Sequence, residues 1–173
     1  MKALYTHRVT RHKIGEVAAV RVERPQALAE FMAGIVEGAT QESMFAVAFD
    51  GRNNVISVDE IYKGTATGTS VRISELFKPL IVLGGVGLAI VHNHPSGDPE
   101  PSEQDIEITS EIIRAGVILD IEVLDHLVIG EGGKFTSIRS QRPSLWDSNP
   151  DSDMGDGIDG DFREHLAAML GSN

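Results

Sequence analysis

Residues 87–115 constrain this chain more than any other stretch. Gly87-Leu88-Ala89-Ile90-Val91 is short, apolar and partly β-branched, which predicts a buried strand. It runs directly into His92-Asn93-His94. Side chains alternate along a strand, so both imidazoles leave its end on the same side. Pro95, Gly97, Pro99 and Pro101 then predict a tight loop. From Glu103 to Ala115 the apolar Ile106, Ile108, Ile112, Ile113 and Ala115 have helical spacing. Ser102 falls at the N-cap, with Asp105 three residues later in the first turn. Strand, loop and helix start bring together two neutral nitrogens and one carboxylate oxygen. That is a three-ligand set for a divalent metal, with a fourth position left for water. A bare His-x-His is only two polar groups in a surface loop, and Ser-x-x-Asp is also an ordinary capping arrangement. The fixed spacing of all four on one strand–loop–helix unit favours the metal reading, and a capped helix start holds its groups rigidly.

The remaining segments build a sheet around that unit. Val9, Ile14, Val17, Val20 and Val22 among charges predict one or two edge strands within residues 4–23. Pro25 suits a helix start, and Leu28, Phe31, Met32, Ile35 and Val36 form one apolar stripe before Gly38. Met44 to Phe49 is apolar on both faces, as a central strand is. Gly51-Arg52-Asn53-Asn54 turns the chain into Val55–Tyr62, an antiparallel hairpin. Ser70 to Leu83 reads as helix, with Pro79 kinking or dividing it and Gly84-Gly85 ending it. Gly116 is expected to stop the next helix. Val117 to Ile129 then reads as strand, Gly130 to Gly133 as turn, and Lys134 to Arg139 as a returning strand. The expected fold class is α/β, a mixed sheet flanked by helices.

Composition sets outer bounds. With 173 residues and 41% hydrophobic content, one domain with a proper core is expected over residues 25–146, preceded by an arm or edge strands at 1–24. Residues 147–161 are nearly all Asp, Ser, Gly, Asn and Pro, too poor in apolar groups to fold. Phe162, Leu166, Met169 and Leu170 follow at helical spacing, so 147–173 reads as an acidic tail with a possible short terminal helix. Cysteine is absent, which excludes disulfides and thiolate metal sites. No apolar run approaches the roughly 20 residues of a membrane span. The start, Met1-Lys2-Ala3-Leu4-Tyr5-Thr6-His7-Arg8, lacks the apolar centre of a signal peptide, so the chain reads as cytoplasmic. The net charge is −11; residues 147–173 hold seven acids against Arg163, while residues 1–24 hold six basic groups against two acids. Such a balance argues against nucleic acid as the main partner, leaving at most a local basic N-terminal face. His7, His12 and His165 lie in polar stretches without partner spacing and read as exposed.

The pattern His92-x-His94, seven residues from Pro95 to Pro101, then Ser102-x-x-Asp105 resembles the JAMM (JAB/MPN+) metalloprotease motif at every spacing. The wording of residues 92–102 is similar to the RadC branch of that superfamily. Other segments agree: Glu42–Asp50 with its opening acidic strand, Lys63-Gly64-Thr65 with its Arg/Lys-Gly-Thr turn, and Val123–Gly130 with its late Asp-His strand. The resemblance covers roughly residues 25 to 140 and implies the JAB/MPN, cytidine-deaminase-like sandwich. It also implies that Glu42, at the head of an upstream strand, is the general acid–base, and that Ser102 assists at the oxyanion or orients the water. Without the resemblance, Glu42 is a solvent-facing residue in the turn after Gly38.

The resemblance, together with a donor set of two imidazoles and one carboxylate, implies a zinc-dependent hydrolase of peptide or isopeptide bonds acting on a protein or peptide. Two alternatives stand beside it: a DNA-repair-associated factor or metal-dependent nuclease of the RadC type, and a non-catalytic protein-binding module. Full-length relatives carry an N-terminal helical module related to DNA-binding units, and the residues before position 25 are too few for one, which weakens the DNA reading. Asp125-His126 reads equally well as support for a ligand imidazole or as a polar pair at a strand edge. Lys63-Gly64-Thr65 reads as a turn rather than a groove wall.

Overall fold

The computed structural model describes residues 20–64 and 71–147. In chain order these form α1 (Pro25–Val36), β1 (Glu42–Phe49), β2 (Val55–Gly64), α2 (Ile73–Leu83), β3 (Gly87–Asn93), α3 (Glu103–Leu119), β4 (Glu122–Ile129), β5 (Phe135–Ser137), α4 (Ile138–Gln141) and α5 (Ser144–Asp147), with a single 3₁₀ turn at Glu131–Gly133. The strands make one sheet in the order β2-β1-β3-β4-β5. Pairing is parallel between β3 and β4, which α3 connects, and antiparallel elsewhere. This is the mixed α/β sheet expected.

Both faces of the sheet are covered, which explains why β1 and β3 are apolar without alternation. On one face Leu28, Ala29 and Met32 of α1 pack on Phe45, Val47, Ala89, Val91 and Leu127. On the other, Leu76, Phe77 and Leu80 of α2 and Ile112 of α3 pack on Met44, Ala46, Leu88 and Ile90. Pro25 occupies the first turn of α1, where its missing N–H costs nothing. The β1–β2 turn is held by Asp50, whose carboxylate accepts from the backbone of Arg52 and Asn54 at 2.8 and 2.9 Å. These hydrogen bonds, the Asn54 side chain first, lower its pKa.

Several boundaries differ from expectation: α2 starts at Ile73, with Val71 and Arg72 outside it, and β2 runs on through Lys63 and Gly64, which were expected to turn. Gly116 does not stop α3, which continues to Leu119 and ends on a left-handed Asp120 (φ 56°). Val117–Leu119 are therefore helix, and β4 begins only at Glu122. The glycine serves close packing instead: a Cβ there would lie 2.6 Å from the Ile121 carbonyl oxygen and 2.8 Å from Val123 Cγ2. Pro79 sits inside α2 without dividing it. β3 extends two residues beyond Val91, through His92 and Asn93. The return after β4 is a strand only from Phe135 to Ser137, because the Ser137 hydroxyl accepts from the Ser140 N–H at 3.0 Å and caps α4. Of the expected edge strands in 4–23, only residues 20–23 are described, and Arg21 bridges Asn54 there. Thr65, Ser70, the segment 162–170, His7, His12 and His165 lie outside the described residues.

Candidate metal centre

β3 ends at the carboxyl edge of the sheet, beside the N-terminus of α3, the usual place for a ligand in an open α/β sheet. His92 is fully buried at that end. His94 stands one residue past the strand, its N–H bonded to the Ile129 carbonyl at 2.9 Å, so β4 continues to guide the chain there. The loop then folds back tightly: Gly97 is left-handed (φ 83°), and Glu131 N–H donates to its carbonyl at 2.9 Å. Gly130 faces this carbonyl so closely that any Cβ would collide with it and with Pro99.

Ser102 caps α3 through a reciprocal pair. The Asp105 N–H donates to the Ser102 hydroxyl at 3.2 Å, while Ser102 N–H and hydroxyl donate to Asp105 Oδ2 at 2.7 and 2.6 Å. Both hydrogen bonds fall on Oδ2, which leaves Oδ1 of Asp105 facing His92. His92 Nε2 lies 3.0 Å from His94 Nε2 and 3.3 Å from Asp105 Oδ1; His94 Nε2 is 3.6 Å from Asp105 Oδ2. The His94 Nδ1 donates to the Asp98 carbonyl at 2.8 Å, so in its neutral form its Nε2 carries a bare lone pair toward the cluster.

These three side chains form a group able to hold a metal ion. The spacing fits: four ligands at zinc bond lengths of about 2.0–2.1 Å in a tetrahedron stand roughly 3.3–3.4 Å apart, and the observed separations straddle that value. Electrostatics also favour a cation. Burial raises the Asp105 pKa, but His92 and His94, when protonated, together with the Ser102 hydroxyl outweigh it and hold the carboxyl well below its ordinary range. The hydrogen bond to Asp105 raises the His94 pKa against the opposing effect of burial, with help from the Asp98 carbonyl and a smaller contribution from the Glu42 charge.

Glu42 is half-buried at the head of β1. It lines one cleft of about 400 Å³ together with Tyr62, His94, Ser102 and Asp105. His94 also lines a second cavity of about 660 Å³, walled by the end of α1 and the 3₁₀ turn. What holds Glu42 there was missed by the motif reading. Asn93 accepts from Ser43 N–H at 2.9 Å and donates to the Gln41 carbonyl at 3.1 Å, clamping the residues on either side of Glu42. Alternation in the sequence says only that the middle residue of His-Asn-His turns to the opposite face of the sheet from the two imidazoles.

Asp125 and His126 part company on β4. Asp125 is buried on the α1 side, where it accepts from the Ser137 hydroxyl at 2.7 Å and the Arg139 N–H at 3.2 Å, positioning α4. Burial raises its pKa against those bonds. His126 points the other way, with Nε2 2.8 Å from His92 Nδ1 and Nδ1 2.6 Å from the Thr109 hydroxyl. The pair is therefore not a polar pair at a strand edge: Asp125 is buried within β4, and His126 lies against the His92 ring. Lys63 forms an ion pair with Glu60 at 3.7 Å, exposed on both sides, and Gly64 ends β2.

A mixed-sheet α/β domain with a two-histidine, one-aspartate cluster beside a cleft carrying Glu42 defines a candidate metal-binding domain. Residues 22–143 match the RadC-like JAB domain, and the chain belongs to that family. It is 42% identical over 121 residues to a UPF0758 protein of Roseiflexus castenholzii, covering 70% of this chain and 52% of the relative. A UPF0758 protein of Clostridium perfringens is 36% identical over 131 residues, 76% of this chain and 57% of its own length. One from Desulforudis audaxviator is 46% identical over 99 residues, 57% of this chain and 43% of the relative. The chain thus spans about half the length of the curated relatives it matches.

Proposed function

We propose that this chain is a zinc-dependent hydrolase of peptide or isopeptide bonds. The observation that carries the reading is the convergence of His92, His94 and Asp105 at the cleft that His94 and Asp105 line together with Glu42. His92, His94 and Asp105 would hold the ion; zinc suits two imidazoles and a carboxylate with one position open. When bound, the ion would polarise the scissile carbonyl and acidify a water.

The chain's own groups then have distinct tasks. The Glu42 carboxylate takes a proton from the attacking water and returns it to the leaving nitrogen as the C–N bond breaks. Asn93 keeps Glu42 in place through Gln41 and Ser43. The Ser102 hydroxyl has a single proton, now given to Asp105 Oδ2. To donate to an oxyanion it must turn away, and the Ser102 N–H at 2.7 Å still holds Oδ2 when it does. The substrate would be a protein or peptide whose bond reaches the cleft beside His94.

Metal content by elemental mass spectrometry, run with turnover of peptide and isopeptide substrates, tests this. Wild type should carry about one zinc per chain, and Asp105→Ala none. Glu42→Gln should keep the zinc while losing at least ~10²-fold in turnover, the scale of a removed acid–base. Undiminished turnover in Glu42→Gln would reject the base assignment, and a zinc-loaded wild type inert to every peptide and isopeptide would reject the reaction class.

A further inference from the structure

Thr109 and His126 belong to no part of the chemistry above, yet both are fully buried directly behind the metal cluster. The Thr109 hydroxyl lies within hydrogen-bond reach of the Asp105 backbone carbonyl on one side and of His126 Nδ1 on the other. A carbonyl oxygen only accepts. The single hydroxyl proton of Thr109 is therefore committed to Asp105, and Thr109 Oγ1 must accept from His126 Nδ1–H. That places a lone pair on His126 Nε2, which must in turn accept from His92 Nδ1–H across 2.8 Å. His92 Nε2 is left bare, facing His94 Nε2 at 3.0 Å. We propose that Thr109 and His126 are positioning residues that lock His92 as its Nδ1–H tautomer, so that its Nε2 is presented as a ligand.

The direction of this wire is set at one end only, by a backbone carbonyl that cannot reverse. All three side chains are 0% exposed, so no solvent competes for the protons. The wire begins on the backbone of one candidate ligand, Asp105 on α3, passes through β4, and ends on the ring of another, His92 on β3. It therefore ties the two ligands together independently of any ion. Without the lock, His92 is free to carry its proton on Nε2, where it would hydrogen-bond to His94 Nε2 and block the ligand position. The usual arrangement, in which a ligand imidazole donates its far N–H to a carboxylate or carbonyl, is replaced here by a neutral imidazole anchored through a hydroxyl.

The consequence for metal binding rests on the zinc reading; the tautomers do not. Long-range ¹H–¹⁵N spectra of the metal-free protein at mildly alkaline pH should show His92 and His126 both protonated at Nδ1. Thr109→Val, nearly isosteric, should lose that pattern at His126 and weaken zinc binding about 10–100-fold in a chelator competition, the scale for losing a partner behind a ligand. Thr109→Ser should restore both. An Nε2–H signal on His92 in the wild type, or wild-type tautomers and zinc affinity in a folded Thr109→Val, would overturn the proposal. If the wild type showed the Nδ1–H pattern but took no zinc, the lock would stand and the hydrolase reading would fall.

Discussion

At the scale of single residues, the centre depends on groups that never touch a substrate. Asn93 is the clearest case. Its removal as Asn93→Ala orphans the N–H of Ser43, which is only 2% exposed, and frees the Gln41 carbonyl. An unsatisfied buried donor costs about 1–3 kcal/mol, which a denaturant melt will read. Turnover should fall further than stability suggests, because Glu42 loses its clamp, while zinc stays bound; loss of zinc in step with activity would contradict this division of labour. Proton competition is the second residue-scale effect. The Asp98 carbonyl holds His94 Nδ1–H, so a further proton on His94 goes to Nε2, the ligand atom. The His94 pKa is raised above the ordinary 6.5, first by its hydrogen bond to Asp105. Lowering pH through that raised value fills Nε2 and expels metal. Apparent zinc affinity should thus decline about tenfold per pH unit for one proton displaced, with the decline starting at a higher pH than an unperturbed imidazole gives. A decline confined to pH values below 6.5 would mean that the Asp105–His94 bond does not operate in solution.

At the scale of elements, legibility in the sequence followed how local the determining physics is. β1, β3 and α1 were readable because continuous apolar runs and a Pro-led stripe are properties of the segment itself. The His92–His94–Asp105 cluster was legible for a similar reason, since its residues and the Ser102 cap lie on one strand–loop–helix unit. The β4 boundary was not, because Gly116 has two possible meanings that sequence does not separate. Its position suits a helix stop equally well, whereas its role is to let α3 pass close to Ile121 and Val123. Asp125, Ser137 and Arg139 hold the β5–α4 corner through contacts 12 and 14 residues apart, again invisible to a local window. The behaviour of His126 depended on the length of β4 and on Thr109 of α3, so its partner was beyond reach. The Gly116 reading can be tested by competing effects. Gly116→Ala gains about 0.8–1 kcal/mol of helix propensity but places a methyl 2.6 Å from a backbone oxygen that cannot move aside cheaply. Overpacking of this kind costs about 1–3 kcal/mol, so net destabilisation by thermal melt is expected, and stabilisation would show that α3 tolerates the shift.

For the molecule as a whole, the sheet buries separate clusters on its two faces, and the candidate ligands sit where β3 meets the start of α3. An ion held by His92, His94 and Asp105 cross-links that junction in the folded chain only, so it should act as a global stabiliser. At zinc a hundredfold above Kd the gain is about 2.7 kcal/mol, which for a domain of this size is roughly 5–10 °C in Tm. Chelation should reverse it. The difficulty is that a chain with 26 acids, six histidines and a net charge of −11 offers zinc other attractions. Seven of those acids lie in residues 147–173, away from the cluster in sequence. Weak binding there would not discriminate folded from unfolded chain, since it requires no fixed geometry, and so would leave Tm nearly unchanged. His92→Ala separates the two sources: the acids remain, the junction site is gone, and the zinc-dependent rise in Tm should vanish. Among the described residues no helix is long and apolar enough to cross a membrane. Persistence of the full shift in His92→Ala would place the stabilising ion outside the His92–His94–Asp105 cluster.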